Sequence, residues 1–140
     1  MRIRKAVPSD LPLVLRLARG LGLEYPGLEK DVAWVADEDG RIVGSVALRR
    51  HPDCLELVAL GVDERDRGKG TGGRLVLAVL GLVAEQAEDV YLATVIPAFF
   101  ARFGFEPTAA VPASLAARKG TAWCEGCPRE LCTVMIRRSA

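Results

Sequence analysis

The sequence is short of aromatic residues, of net charge and of long apolar runs, and each shortage removes a class of function. Phe, Trp and Tyr make up 6% of the 140 residues, so a core must be packed mostly from aliphatic side chains. The chain has 19 basic and 18 acidic residues, for a formal net charge of +1. Phosphate-gripping proteins normally show a basic excess or stripe, so nucleic acid is not expected as a partner. A local basic pocket for one phosphorylated cofactor stays open. The longest apolar stretch, Leu75 to Ala84, falls far short of the roughly 20 residues that span a bilayer. The basic start Met1-Arg2-Ile3-Arg4-Lys5 runs into Pro8, Ser9 and Asp10 where an export signal needs apolar residues. The expectation is therefore a cytoplasmic protein with no membrane partner. In that compartment the four cysteines are expected to be reduced or metal-bound rather than paired.

Half of the residues are hydrophobic, and the length suits one core. No linker, repeat or low-complexity tract divides the chain. The reading is one α+β domain over 1–140, with a cysteine-containing tail at 121–140. Strand patterns fall at Arg2–Val7, Val32–Asp37, Arg41–Arg50, Cys54–Val62, Val90–Val95, Phe105–Val111 and Leu131–Arg138. Asp39-Gly40 is a hairpin turn signal. Leu11, Leu13, Val14, Leu17, Ala18 and Leu21 recur at helical spacing behind Ser9 and Asp10, either of which can cap the helix. Further helix patterns lie at Leu28–Asp31, Arg74–Ala87, Pro97–Phe103 and Pro112–Lys119, with Gly104 suited to end the third of these.

The most informative segment runs from Leu60 to Gly73. A strand pattern leads into Asp63-Glu64-Arg65-Asp66-Arg67-Gly68-Lys69-Gly70-Thr71-Gly72-Gly73, and a helix pattern follows. Gly68, Gly70 and Gly72 leave the main chain uncovered. Successive amides can turn into one concavity, and the helix adds its positive end, which suits a phosphate. Arg67 and Lys69 add charge. A P-loop is excluded, because Gly68-Lys69 is followed by Gly70 and no glycine lies five residues earlier. Gly68, Gly70 and Gly73 match the dinucleotide fingerprint, but Asp63 to Asp66 separate them from the strand, and Asp89 precedes the next strand instead of ending it.

Arg67-Gly68-Lys69-Gly70-Thr71-Gly72 resembles the GNAT acetyltransferase signature, Arg/Gln-x-x-Gly-x-Gly/Ala. Leu60-Gly61-Val62, the run Phe99 to Phe105, Asp10 before its amphipathic helix, and Arg41-Ile42-Val43-Gly44 after a turn fit the same family in order, from about Arg2 to Pro107. The resemblance implies a GNAT fold: a mixed central sheet of about six to seven strands, flanked by helices and splayed between the fourth and fifth strands. It implies acetyl-CoA as co-substrate and an amine acceptor. Arg67, Gly68, Lys69, Gly70, Thr71 and Gly72 would hold the pyrophosphate. The main chain of Leu60 and Val62 would pair with the pantetheine arm, and Ala98 and Phe99 would flank the thiol. Many relatives carry a general base where this chain has Glu56, and a tyrosine acid where it has Phe100. Phenylalanine donates no proton, so the acid is missing from its usual place. Phe99-Phe100 before Gly104-Phe105, with Leu92-Ala93-Thr94 upstream, is similar to the N-acetylglutamate synthase branch and hints at an amino-acid-like substrate. The loop Glu24-Tyr25-Pro26-Gly27 falls where the family closes over the acceptor, with Arg16, Arg49 and Arg50 as candidate carboxylate partners.

The alternative reading keeps the cofactor without turnover, as an acyl-CoA sensor or interaction module. A homodimer stays open in either case. Cys124, Cys127 and Cys132 form Cys-x2-Cys-x4-Cys, a partial zinc pattern lacking the fourth ligand of a structural site. His51 or Cys54 would have to complete it, so zinc is not favoured. Otherwise Cys132 reads as a small buried residue on the face of Val134 and Ile136.

Overall fold

The computed structural model describes residues 1–23, 25–117 and 132–139. Its elements run β1 (Arg2–Lys5), α1 (Leu11–Gly20), β2 (Val32–Glu38), β3 (Arg41–Arg50), β4 (Leu55–Val62), α2 (Thr71–Gln86), β5 (Val90–Thr94), α3 (Pro97–Ala101), β6 (Glu106–Pro107), α4 (Ala113–Ala116) and β7 (Thr133–Arg137). Short 3₁₀ turns occur at Pro8–Asp10, Leu28–Lys30 and Glu64–Asp66. The strands form one seven-stranded mixed sheet in the order β1-β2-β3-β4-β5-β7-β6. Among the described residues no helix is long and apolar enough to cross a membrane. The chain divides into two compact units, one of Met1–Arg49 with Leu57–Leu82, the other of Arg50–Glu56 with Val83–Ala140.

In the first unit, β1, β2 and β3 are antiparallel neighbours. Asp39 and Gly40 both take positive φ, 51° and 89°, as the tight β2–β3 turn requires. From Ile42 to Leu48, β3 is buried without a break, the pattern of a strand covered on both faces. Arg4 anchors the entry to α1. Its guanidinium donates to both oxygens of Asp10 at 2.7 and 2.9 Å, and the Val7 N–H donates to Asp10 Oδ2 at 2.8 Å. Hydrogen bonding to Arg4 holds the Asp10 carboxyl below its ordinary value in spite of burial, with help from Val7. The folded value lies below the unfolded one, so the stabilisation is complete above the ordinary carboxylate range and fades as pH falls through the folded value. Asp10→Asn should cost about 1.5–3 kcal/mol at neutral pH and flatten the acid limb of stability against pH, measured by urea unfolding from pH 7 to pH 2.

In the second unit, β5 pairs antiparallel with β7, and β7 with β6. The parallel pairing of β4 with β5 covers only Leu55↔Val90 and Glu56↔Tyr91. Gly104, at φ 88°, ends the turn after α3, and its N–H donates to the Ala101 carbonyl at 3.2 Å.

Two elements and one residue depart most from the sequence reading. α2 begins at Thr71, three residues before the expected start, because its first turn takes in Gly72 and Gly73, with the Arg74 N–H donating to Gly70 O at 3.0 Å. β6 keeps two residues of the expected Phe105–Val111, since Pro107 has no N–H to extend a ladder. Cys132 precedes β7 and is exposed instead of buried.

Candidate active site

Both halves of the expected site are ordered by local backbone chemistry. In the first unit, β4 runs on through Ala59, a buried alanine at φ 59°. That left-handed value is costly for a residue with a Cβ. The buried Ser45 hydroxyl donates to the Ala59 carbonyl at 2.9 Å and holds the kink. Leu60 and Val62 follow, each half-buried. A Cβ on Gly61 between them would meet the Tyr25 hydroxyl at 2.9 Å and Leu21 at 3.1 Å, so glycine is what lets the loop after α1 lie against the strand.

The turn beyond β4 is tied down from below and open above. Asp63 caps the 3₁₀ turn by accepting from the Arg65 N–H at 3.0 Å. Asp66 is buried and pairs with Arg41 at 3.2 Å and with Lys69 at 3.5 Å. Gly68 and Gly70 then take φ 80° and 79°, and a Cβ on either would meet open space. The chain enters α2 there, where first-turn amides lack acceptors within the helix. Arg67, Gly68, Lys69 and Gly70 are exposed, Gly72 is half-buried and Thr71 is buried. Arg67 Nε donates to Val62 O at 3.3 Å, so that carbonyl is engaged by its own loop, and the Thr71 hydroxyl is directed at Met1 Sδ, 3.4 Å away. This construction has the parts that suit an anion: two left-handed glycines, a helix N-terminus and nearby cations.

Beside it, a cavity of ≈ 740 Å³ is lined by residues that include Leu13, Arg16, Leu21, Arg41 and Asp63. Of the three arginines singled out as carboxylate partners, Arg49 is bound to Asp31 and to the Pro26 carbonyl, and Arg50 to Glu88. Arg16 is exposed on the cavity wall. Glu24 lies outside the described residues. The Tyr25 hydroxyl is buried with no hydrogen-bond partner among the described residues, and burial pushes its pKa up to about 12. Removing an unsatisfied hydroxyl removes its desolvation cost, so Tyr25→Phe should stabilise the protein by about 1 kcal/mol, read as a rise in thermal midpoint.

In the second unit, Glu56 is 2% exposed and is the last residue of β4 paired with β5. Its Oε1 lies 2.7 Å from His51 Nε2. Sequence reasoning considered His51 only as a metal ligand and missed this contact. The sole signal was the Pro52-Asp53 turn, which folds position 51 back toward β4 and lets the His51 N–H donate to Cys54 O at 2.9 Å. Phe100 is buried, edge-on to Phe99 at 5.0 Å and to Phe105 at 6.0 Å. Ala98 is exposed and Phe99 half-buried, with the Arg102 guanidinium 4.9 Å from the Phe99 ring. Pro97 opens α3 in its first turn, and the Thr94 hydroxyl accepts from the Ile96 N–H at 2.9 Å just before it. Among the described residues no cluster of His, Cys, Asp or Glu is able to hold a metal. Cys124 and Cys127 lie outside the described residues.

Residues 29–107 match the model of the acetyltransferase (GNAT) domain. No curated protein matches the sequence. Among solved structures, N-acetylglutamate synthase from Neisseria gonorrhoeae, complexed with coenzyme A and N-acetyl-glutamate, superposes with a TM-score of 0.80 at 21% identity. That match covers 99% of this chain and 35% of the synthase, so the chain spans about a third of that relative's length. Rv2747 from Mycobacterium tuberculosis, in complex with CoA and NLQ, matches with a TM-score of 0.73 at 22% identity, over 97% of this chain and 98% of its own. Arabidopsis thaliana Naa50, in complex with the bisubstrate analogue CoA-Ac-MVNAL, matches with a TM-score of 0.71 at 20% identity, over 96% of each chain. These likenesses establish the shared fold. With more than half of its residues matched by the family model, the chain belongs to the GNAT acetyltransferase family.

Proposed function

We propose that this protein is an acyl-CoA N-acyltransferase acting as a single domain in the cytoplasm. It moves an acetyl group from acetyl-CoA to a primary amine of a small molecule or peptide. The observation that carries the reading is the cradle at Arg67–Gly72, whose left-handed Gly68 and Gly70 feed directly into α2 in a chain of this family. The cradle holds the pyrophosphate. Leu60 and Val62 receive the pantetheine arm through their main chain, and Ala98 and Phe99 flank the thiol end. Glu56 is the base: it takes a proton from the acceptor ammonium, the freed amine attacks the thioester carbon, a C–N bond forms and the C–S bond breaks. The departing thiolate takes its proton from the nitrogen that has attacked or from water, because Phe100 has none to give. Rv2747 and the gonococcal synthase were crystallised with CoA, and an N-acetylated amino acid in the latter supports an amino-acid-like acceptor for this chain.

A second reading is favoured by one observation. Phe100 is locked into an aromatic cluster with no hydroxyl at the usual acid position, which suits a non-catalytic acyl-CoA sensor. Free-thiol release from acetyl-CoA against amino acids, polyamines and peptides separates the two. Turnover on any acceptor supports the enzyme. Thermal stabilisation by acetyl-CoA with no turnover on the panel selects the sensor.

A further inference from the structure

The pairing of Glu56 with His51 is unused by the scheme above. Glu56 has 2% of its side chain exposed and His51 has 14%. His51 is the only histidine in the chain. Imidazole is the side chain suited to accept and release protons near neutral pH, and its two nitrogens let it take a proton on one side and lose one on the other. A carboxylate buried as deeply as Glu56 exchanges protons slowly with bulk water unless a second group connects it. The neighbouring charges on this segment are already engaged. Arg50 is bound to Glu88 at 2.9 Å, and Asp53 accepts from the Ser114 N–H at 3.1 Å. The residue opposite Glu56 across the β4–β5 pairing is Tyr91.

We infer that Glu56 and His51 form one proton-transfer unit, in which His51 is the positioning residue that carries the proton between the buried carboxylate and solvent. The step balances simply. At rest Nε2–H donates to the Glu56 carboxylate. The acceptor ammonium gives its proton to Glu56, and the ring changes to its Nδ1–H tautomer by exchange with water. Glu56 then passes its proton to the freed Nε2, the ring releases the Nδ1 proton to water, and carboxylate and Nε2–H are restored. This rests on the proposed acyl transfer only for its catalytic readout.

The test uses two variants. His51→Gln keeps a hydrogen-bond donor for Glu56 but neither gains nor loses a proton near neutral pH, and His51→Ala leaves room for imidazole added to the buffer. Both should lower kcat about 10- to 100-fold with KM for acetyl-CoA unchanged, and they should alter the pH profile of kcat. Added imidazole should restore part of the rate of His51→Ala and none of that of His51→Gln. A His51→Gln enzyme as fast as the wild type would reduce His51 to a structural hydrogen-bond donor and overturn the inference. Should the wild type turn over no acceptor, acyl transfer fails as a function, and the unit is still tested by NMR of the single imidazole. The nitrogen resonances of the ring, which report its tautomer and hydrogen-bond partner, should shift in Glu56→Gln, and resonances that do not shift overturn the inference.

Discussion

Glu56→Gln should lower kcat by about 10²–10⁴-fold, the range that a positioned general base contributes, while acetyl-CoA still binds. The substitution is nearly isosteric in a site where the side chain is 2% exposed, so packing changes little. It keeps an oxygen able to accept from His51 Nε2, which now lies 2.7 Å from Glu56 Oε1. What it removes is a carboxylate able to take a proton. The measurement is steady-state thiol release together with thermal stabilisation by acetyl-CoA. Stabilisation equal to that of the wild type, with turnover nearly gone, places the loss in proton transfer. Turnover equal to that of the wild type would remove Glu56 as the base and leave the cofactor half of the proposal standing.

Gly70→Val should weaken acetyl-CoA binding by about 10- to 100-fold, measured by calorimetry. Gly70 sits at φ 79°, and a Cβ there meets open space, so the first added carbon clashes with nothing. Its effect is on the backbone, because a β-branched residue resists the left-handed region. The loop would re-aim one or two amides. Each hydrogen bond to a charged group is worth about 1.5–3 kcal/mol, and about 1.4 kcal/mol is tenfold in affinity. Gly70→Asn, which tolerates the same φ, should keep most of the affinity. Gly20→Ala is the matched control, since a Cβ there also meets open space and φ is not left-handed. Equal affinity in Gly70→Val and wild type would show that the phosphate is held elsewhere.

Much of this site is legible from residue order, and the exceptions have physical causes. The β2–β3 hairpin is readable because Asp39-Gly40 supplies two positive φ values at the one place where a tight turn needs them. β3 is readable at both ends because it runs from that turn to His51-Pro52. The glycine turn before α2 is readable because Gly68 and Gly70 supply positive φ values where the chain turns. The start of α2 is not, because Gly72 and Gly73 have poor helix propensity and are helical here, in a first turn where Thr71 is buried. The burial of Glu56 is also hidden. The run from Leu55 to Leu60 alternates only partly, and a glutamate in it reads equally as a surface residue. Its contact with His51 spans a turn, and one sequence without its fold does not say which way that ring swings. Ala59 gives no sign of its left-handed backbone, since glycine, and at times asparagine or aspartate, are the residues that visit it routinely.

That left-handed alanine has a consequence for how the protein behaves in a crowded solution. The pairs that join β4 to β5 are Leu55↔Val90 and Glu56↔Tyr91, and Ala59 lies three residues further along β4. A regular row of unpaired strand donors and acceptors is a template on which another chain can add a strand. With φ 59° at Ala59 the edge loses its regular spacing of donors and acceptors three residues past the last pair, as bulges do at the edges of sheets. A second polypeptide in a straight extended form would fall out of step there. The same kink that Ser45 holds in place therefore breaks the run of main-chain groups that a straight added strand would need.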